Sequence, residues 1–158
     1  MKKLLWLDDD PVSISFDKDV LVPDTFDASR YKVVYFEKIR EMSEYLYQHS
    51  KEVTKRDIFV IDIMLYDEPE ITLPDGTKVE VPDELMAGTI FYTEFLKVWY
   101  PENPVVLYTS REHQNEIFQN ITSDPRFGKS LFLVDKWKND SDFIEVLGRL
   151  LKEEQHDT

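Results

Sequence analysis

Residues 57–65 read DIFVIDIML. Apart from the two aspartates every position is apolar, and most are β-branched or aromatic. Ile58 to Ile63 is therefore predicted to be a strand covered on both faces, as in a parallel sheet. Asp62 interrupts that run near its end. A carboxylate in a buried strand is costly unless something compensates it, so Asp62 is the first candidate functional residue.

Four more runs of the same kind lie on either side: Lys3 to Leu7, Tyr31 to Phe36 (YKVVYF), Pro104 to Tyr108 (PVVLY) and Ser130 to Val134 (SLFLV). Helical patterns separate them. Ile39, Met42, Leu46 and Val53 form one stripe. Ile90, Phe91, Phe95, Val98 and Trp99 form another, stopped by Pro101. Glu112 to Ile121 is weaker, and Phe143, Val146, Leu147, Leu150 and Leu151 form the last, with Asp140 or Ser141 as its N-cap. Strand–helix alternation predicts an α/β, doubly wound, five-stranded parallel sheet, with the functional crevice at the carboxyl ends of its strands.

Two segments break this rhythm. Residues 11–30 should hold the first crossover helix, but Pro11, Pro23 and many β-branched residues predict a short or irregular one. Between Asp67 and Glu84, the alternation of ITLPDGTKVEV around Asp75-Gly76 predicts a β-hairpin inserted near residues 70–82, with a type I′ turn. Hanging off the strand end, such a hairpin is either a solvated loop or a lid or docking arm.

The polar residues at the strand ends converge on one edge. Asp8, Asp9 and Asp10 follow the first strand, Asp62 closes the third, Thr109 and Ser110 follow the fourth, and Lys136 follows the fifth. Taken singly, Asp9 or Asp10 suits a helix cap, Thr109 and Ser110 suit caps, and Lys136 suits a surface position. Together they make a cluster of carboxylates that needs counter-charge. Lys136 supplies one positive charge. A hard divalent cation, Mg²⁺ or Mn²⁺, suits oxygen-only ligands. A cation, a lysine and a hydroxyl together match what a transferring phosphoryl group needs on its oxygens, and a central carboxylate can be its nucleophile.

The bulk composition narrows the field. In 158 residues there are 32 acidic against 19 basic side chains, a formal charge of −13, and no cysteine. The charge disfavours direct binding to nucleic acid or anionic membranes. The missing thiols exclude disulfides and cysteine chemistry and fit a cytoplasmic setting. The apolar start MKKLLWL is too short for a secretory signal, and no run is long enough to span a membrane.

With LLWLDDDP, DIFVIDIML, PVVLYTS and LVDKW in this order, nearly the whole chain resembles the receiver domain of two-component response regulators. The resemblance implies a single receiver-like domain over residues 1–158 without an output domain, and an activity limited to its own phosphorylation and dephosphorylation. It implies a histidine kinase or phosphotransfer protein as donor, a downstream protein as reader, and a homodimer as a possible assembly. Asp62 would be the phosphoacceptor. Asp9 would ligate Mg²⁺ directly and Asp8 through water, with the Met64 carbonyl as a further ligand. Thr109 would bond the phosphoryl oxygen and Lys136 would pair with the phosphate. The chain departs from the family pattern where Trp137 replaces the proline after the lysine, where Leu133 replaces the switch aromatic, in MLYDEP, and in the distance from Asp62 to Gly88. These departures suit a pseudo-receiver, a binding module without phosphorylation. A haloacid-dehalogenase-type phosphatase, with Asp8 as nucleophile and Asp10 as acid/base, is a further alternative, but it leaves Asp62 without a role.

Overall fold

A computed structural model describes residues 2–9, 31–65, 70–82, 86–109, 116–135, 145–146 and 149–150. The predicted helix in residues 11–30, Asp10, Ser110, Lys136 and Trp137 lie outside them.

All five predicted strands form: β1 (Lys2–Leu7), β2 (Tyr31–Phe36), β3 (Ile58–Asp62), β6 (Val105–Thr109) and β7 (Leu131–Asp135). They make one parallel sheet in the order β2-β1-β3-β6-β7. Side chains alternate across each strand, and the burial follows that alternation. Leu5, Leu7, Phe59, Ile61, Val105, Leu107 and Leu131 enter one core. Leu4, Trp6, Ile58, Val60, Val106, Phe132 and Val134 enter the other. This two-sided burial is why DIFVIDIML carries almost no polar residue.

Helix α1 (Ile39–Gln48) covers the first face with Ile39, Met42 and Leu46, the stripe read from sequence. Helix α2 runs as an α-helical Ala87–Phe91, a π-helical Tyr92–Leu96 and a final α-helical Lys97–Trp99. Here the structure corrects the sequence stripe. Phe91, Tyr92, Phe95 and Leu96 are buried, but Val98 and Trp99 are 62% and 41% exposed. A π turn takes in one extra residue, and one residue is about 100° of helix rotation. That turns Val98 and Trp99 out of the stripe a regular helix would have given them. The helix ends before Pro101, as expected. Helix α3 (Glu116–Thr122) contributes Ile121 to the first core, while the helical residues Val146 and Leu150 pack on the second. No helix among the described residues is long and apolar enough to cross a membrane.

The inserted hairpin is present as β4 (Glu70–Thr72) paired antiparallel with β5 (Lys78–Glu80). Its turn is not type I′. The Gly76 N–H donates to the Leu73 carbonyl (2.9 Å), so Pro74 and Asp75 are the central residues. Proline fixes φ near −65°, which suits the first central position of a type I turn and forbids the positive φ of type I′. Gly76 then takes the left-handed position at φ +88°, the three-residue loop that ends in a glycine bulge. The hairpin is also neither a solvated loop nor a free arm. Ile71 and Val81 are buried in the first core, and β4 touches α1.

Candidate metal site

The site is built where β1 and β3 leave the sheet. Numbered by its parallel strands alone, the sheet has the order 2-1-3-4-5, whose reversal of direction falls between the first and third strands. Leu7 pairs with Ile61 in register, so the residues that follow, Asp8 and Asp62, emerge side by side. The Asp8 N–H donates to the Phe36 carbonyl (3.0 Å), carrying the β1–β2 ladder one residue beyond the strand.

Asp8, Asp9 and Asp62 bring one carboxylate oxygen each to within 4.8 Å of one another. Asp8 and Asp62 are 0% and 5% exposed, and Asp9 is half-buried. Acidic side chains gathered on a solvated surface are commonplace, but two of these three are withdrawn from water. At a metal–oxygen distance of about 2.1 Å, opposite ligands of a hexacoordinate Mg²⁺ stand about 4.2 Å apart. The three oxygens therefore fit a small hard cation after little adjustment, and the all-oxygen donor set selects Mg²⁺ or Mn²⁺ over softer metals.

Asp62 is held from its own chain. The Met64 N–H donates to Asp62 Oδ1 (3.2 Å), an Asx-type turn that orients the carboxylate and brings the Met64 backbone beside the acids. Behind this turn lies Gly88. Its N–H donates to the Ile63 carbonyl (2.8 Å), and a Cβ placed on it would meet Ile63 Cα at 2.7 Å and Asp62 C at 2.8 Å, with the Asp62 carbonyl oxygen closer still. The start of α2 thus packs directly on the main chain that carries Asp62. Only a residue without a side chain allows that approach.

Of the other residues expected here, Thr109 ends β6 on the same edge. It lies opposite Asp135 in register and one residue beyond Tyr108, the partner of Asp62. Lys136 follows Asp135 in the sequence and lies outside the described residues, as do Asp10 and Ser110.

The opposite, amino edge of the sheet carries a polar network that the sequence reading missed. Asp57, the first residue of DIFVIDIML, is fully buried. It accepts from the Lys3 N–H (2.9 Å), the Thr54 N–H (3.0 Å) and the Thr54 hydroxyl, and pairs with Lys3 Nζ (3.1 Å). Asn103 Nδ2 donates to the Asp57 and Thr54 carbonyls at 2.9 and 2.7 Å, and Arg126 donates to the Asn103 carbonyl. Asp124 continues the network, bound by Tyr92 Oη (3.0 Å), Lys97 Nζ (3.1 Å) and the Arg126 N–H (2.8 Å). Burial alone would raise the Asp124 carboxyl, but these donors outweigh it and hold it below the ordinary carboxylate range. Burial, helped by Asp124, pushes the Tyr92 phenol up to about 12. A signal was there: an acid directly before a buried strand, and a lysine at the start of its neighbour.

No protein-family model and no curated protein sequence matches the chain. Among solved structures, it is similar to the Mn²⁺-bound form of response regulator Rcp1, at 15% identity and a TM-score of 0.57, over 95% of this chain and 91% of that one. It is also similar to the phosphorylated cyanobacterial phytochrome response regulator RcpA, at 16% identity and a TM-score of 0.59, over 94% of this chain and 90% of that one. The chain therefore has the doubly wound α/β fold of response regulators.

Proposed function

We propose that the chain is a phosphoacceptor signalling protein. The observation that carries this reading is the set of three carboxylates, two of them buried, at the sheet's switch point. Asp62 is the acceptor, taking a phosphoryl group from a histidine kinase or phosphotransfer protein. One of its oxygens attacks phosphorus in line, an O–P bond forms, the donor's N–P bond breaks, and the imidazole leaves with the electron pair. Asp8, Asp9 and Asp62, with the Met64 carbonyl, would hold Mg²⁺, whose charge offsets that of the carboxylates and of the phosphoryl oxygens. Thr109 and Lys136 are assigned the incoming oxygens, and a downstream protein reads the change. Two solved relatives in fold, one Mn²⁺-bound and one phosphorylated, support the assignment. The burial of Asp62 beside Asp8 speaks against the phosphatase alternative, in which Asp62 has no task. The protein then acts on no substrate other than its own acyl phosphate, and its setting is the cytoplasm.

The test is incubation with acetyl phosphate, and separately with beryllofluoride, in the presence of Mg²⁺. The expected result is an adduct on Asp62 by mass spectrometry and a spectral change with beryllofluoride, both abolished in Asp62→Asn. Labelling that persists in Asp62→Asn moves the acceptor elsewhere. No adduct and no spectral response in the native chain would favour the pseudo-receiver.

A further inference from the structure

The hairpin that interrupts the receiver pattern creates a cleft of about 520 Å³ against α1. One wall is Ile39, Arg40, Ser43, Glu44 and Tyr47 of α1, and the other is residues 70–76, which are β4 and its turn. From the geometry we infer that this cleft is a docking site for an extended, basic segment of a partner protein, which adds a strand to β4.

Three observations lead there. The first is the free edge. The Leu73 N–H donates to the Thr77 carbonyl (2.8 Å), and Thr72, Ile71 and Glu70 pair with Lys78, Val79 and Glu80. Bonded and non-bonded pairs alternate along an antiparallel ladder. Ile71 therefore turns its amide groups to β5, and Thr72 turns its N–H and C=O the other way. β4 lines the cleft and the described residues of β5 do not, so that outward edge borders the cleft. An open strand edge is a template for another strand.

The second is the chemistry of the walls. Above the fully buried Ile39 and Ile71, the half-buried Leu73 and Pro74 give the cleft apolar surface, and Tyr47 stands 71% exposed at the rim. An aromatic ring left in water beside an apolar cleft is the kind of residue that anchors an interface. The third is charge. Glu44, Glu70 and Asp75 line the cleft with Arg40; Lys78 Nζ already holds Glu70 (3.3 Å), so the acids outnumber these two bases by one negative charge, on a chain already at −13. The Thr77 N–H holds the Asp75 carboxyl below its ordinary value, so it stays ionised. An occupant with lysine or arginine at alternate positions meets Glu44 and Asp75, and its intervening apolar side chains meet Leu73, Pro74 and Tyr47. Asp8, Asp9 and Asp62 do not line the cleft, so docking is tested apart from phosphorylation of Asp62.

The test is an amide-resolved NMR titration with a capped pentapeptide of alternating lysine and valine. Shifts confined to α1 and residues 70–76 are expected. The same peptide N-methylated along one edge keeps its charge but cannot pair, and should bind at least about five-fold more weakly, the worth of a backbone hydrogen bond or more. Thr72→Pro removes one outward N–H at an edge that tolerates proline and should weaken binding about five-fold. Tyr47→Ala, at an exposed position, should weaken it about ten-fold. Four results each overturn the inference: no binding, equal binding of the methylated or of a glutamate–valine peptide, shifts centred on Asp8 and Asp9, or the same shifts produced by raising protein concentration alone, which would make the occupant a second copy.

Discussion

Replacing Gly88 with alanine should destabilise the protein and loosen the acidic site together, although the same change in an ordinary helix stabilises it. Alanine exceeds glycine in helix propensity by about 1 kcal/mol. At Gly88, however, a Cβ would lie 2.7 Å from Ile63 Cα, where ordinary contact begins at 3.4 Å, and the Asp62 carbonyl oxygen is nearer than that. At least about 0.7 Å must be made up. The obstructing atoms are main chain, so no rotamer change relieves the clash. β3 is flanked by β1 and β6 and cannot step aside without disturbing both ladders. Overpacking costs about 1–3 kcal/mol. With rigid backbone on both sides, the upper end applies, which leaves a net loss of about 2 kcal/mol after the propensity gain. For a chain of this length that is a fall in Tm of roughly 4–8 °C. Urea unfolding followed by tryptophan fluorescence should show a lower midpoint with an unchanged slope. The displacement falls on Asp62, so a Mg²⁺ titration should show weaker binding by the same variant. A Gly88→Ala protein that is more stable than the native one, with unchanged Mg²⁺ affinity, would refute this account of how α2 seats Asp62.

Mg²⁺ at 100 times its dissociation constant should stabilise the native chain by about 2.7 kcal/mol; thermal melts with and without EDTA check this, and Asp8→Asn should abolish the increment. Asp57→Ala removes the carboxylate partner of half-buried Lys3 and orphans two backbone N–H groups, a loss of about 3 kcal/mol by urea unfolding; a loss under 1 kcal/mol would mean the amino-edge network is ornamental. Ile71→Ala should cost about 2–5 kcal/mol, measured in the same way, because the hairpin is part of the core; a neutral result would return it to the status of a free arm. The Asp124 carboxyl is held below its unfolded value of about 3.9, so its stabilisation is complete above that pH and is lost as pH falls through the lower folded value. Stability against pH for Asp124→Asn should accordingly be flatter on the acid side than for the native chain, and parallel curves would contradict the assignment.

The sheet was legible because its code is local. A strand buried on both faces must be apolar throughout, so five such runs could be counted, and the parallel topology then put Asp8, Asp9 and Asp62 on one edge without any knowledge of their contacts. The features that were missed depend on contacts distant in sequence or on departures from ideal geometry. The stripe through Val98 and Trp99 assumed 3.6 residues per turn, and the π turn at Tyr92–Leu96 broke it. Asp75-Gly76 read as a type I′ turn because the pair was weighed without Pro74. Asp57 was invisible as a partner because Lys3 stands 54 positions away. Gly88 was recognised only as a displaced family glycine, and its reason, the main chain of Asp62, appears only in three dimensions.

The two ends of the sheet do different work. At the amino edge charge is matched: Asp57 against Lys3, Asp124 against Lys97, with Asn103 and Arg126 bonding the main chain between them. Breaking such pairs is costly, so this end anchors β1, β3 and the loops that enter β6 and β7. At the carboxyl edge the same strands deliver three acids of like sign to within 4.8 Å. The strands that carry them are pinned at their far ends, and α2 is seated on β3 through Gly88. A cation arriving at that edge would meet carboxylates already assembled, so little binding energy would be lost in gathering them. By this argument, weakening the amino edge should lower Mg²⁺ affinity from across the sheet, even though no residue there touches the site.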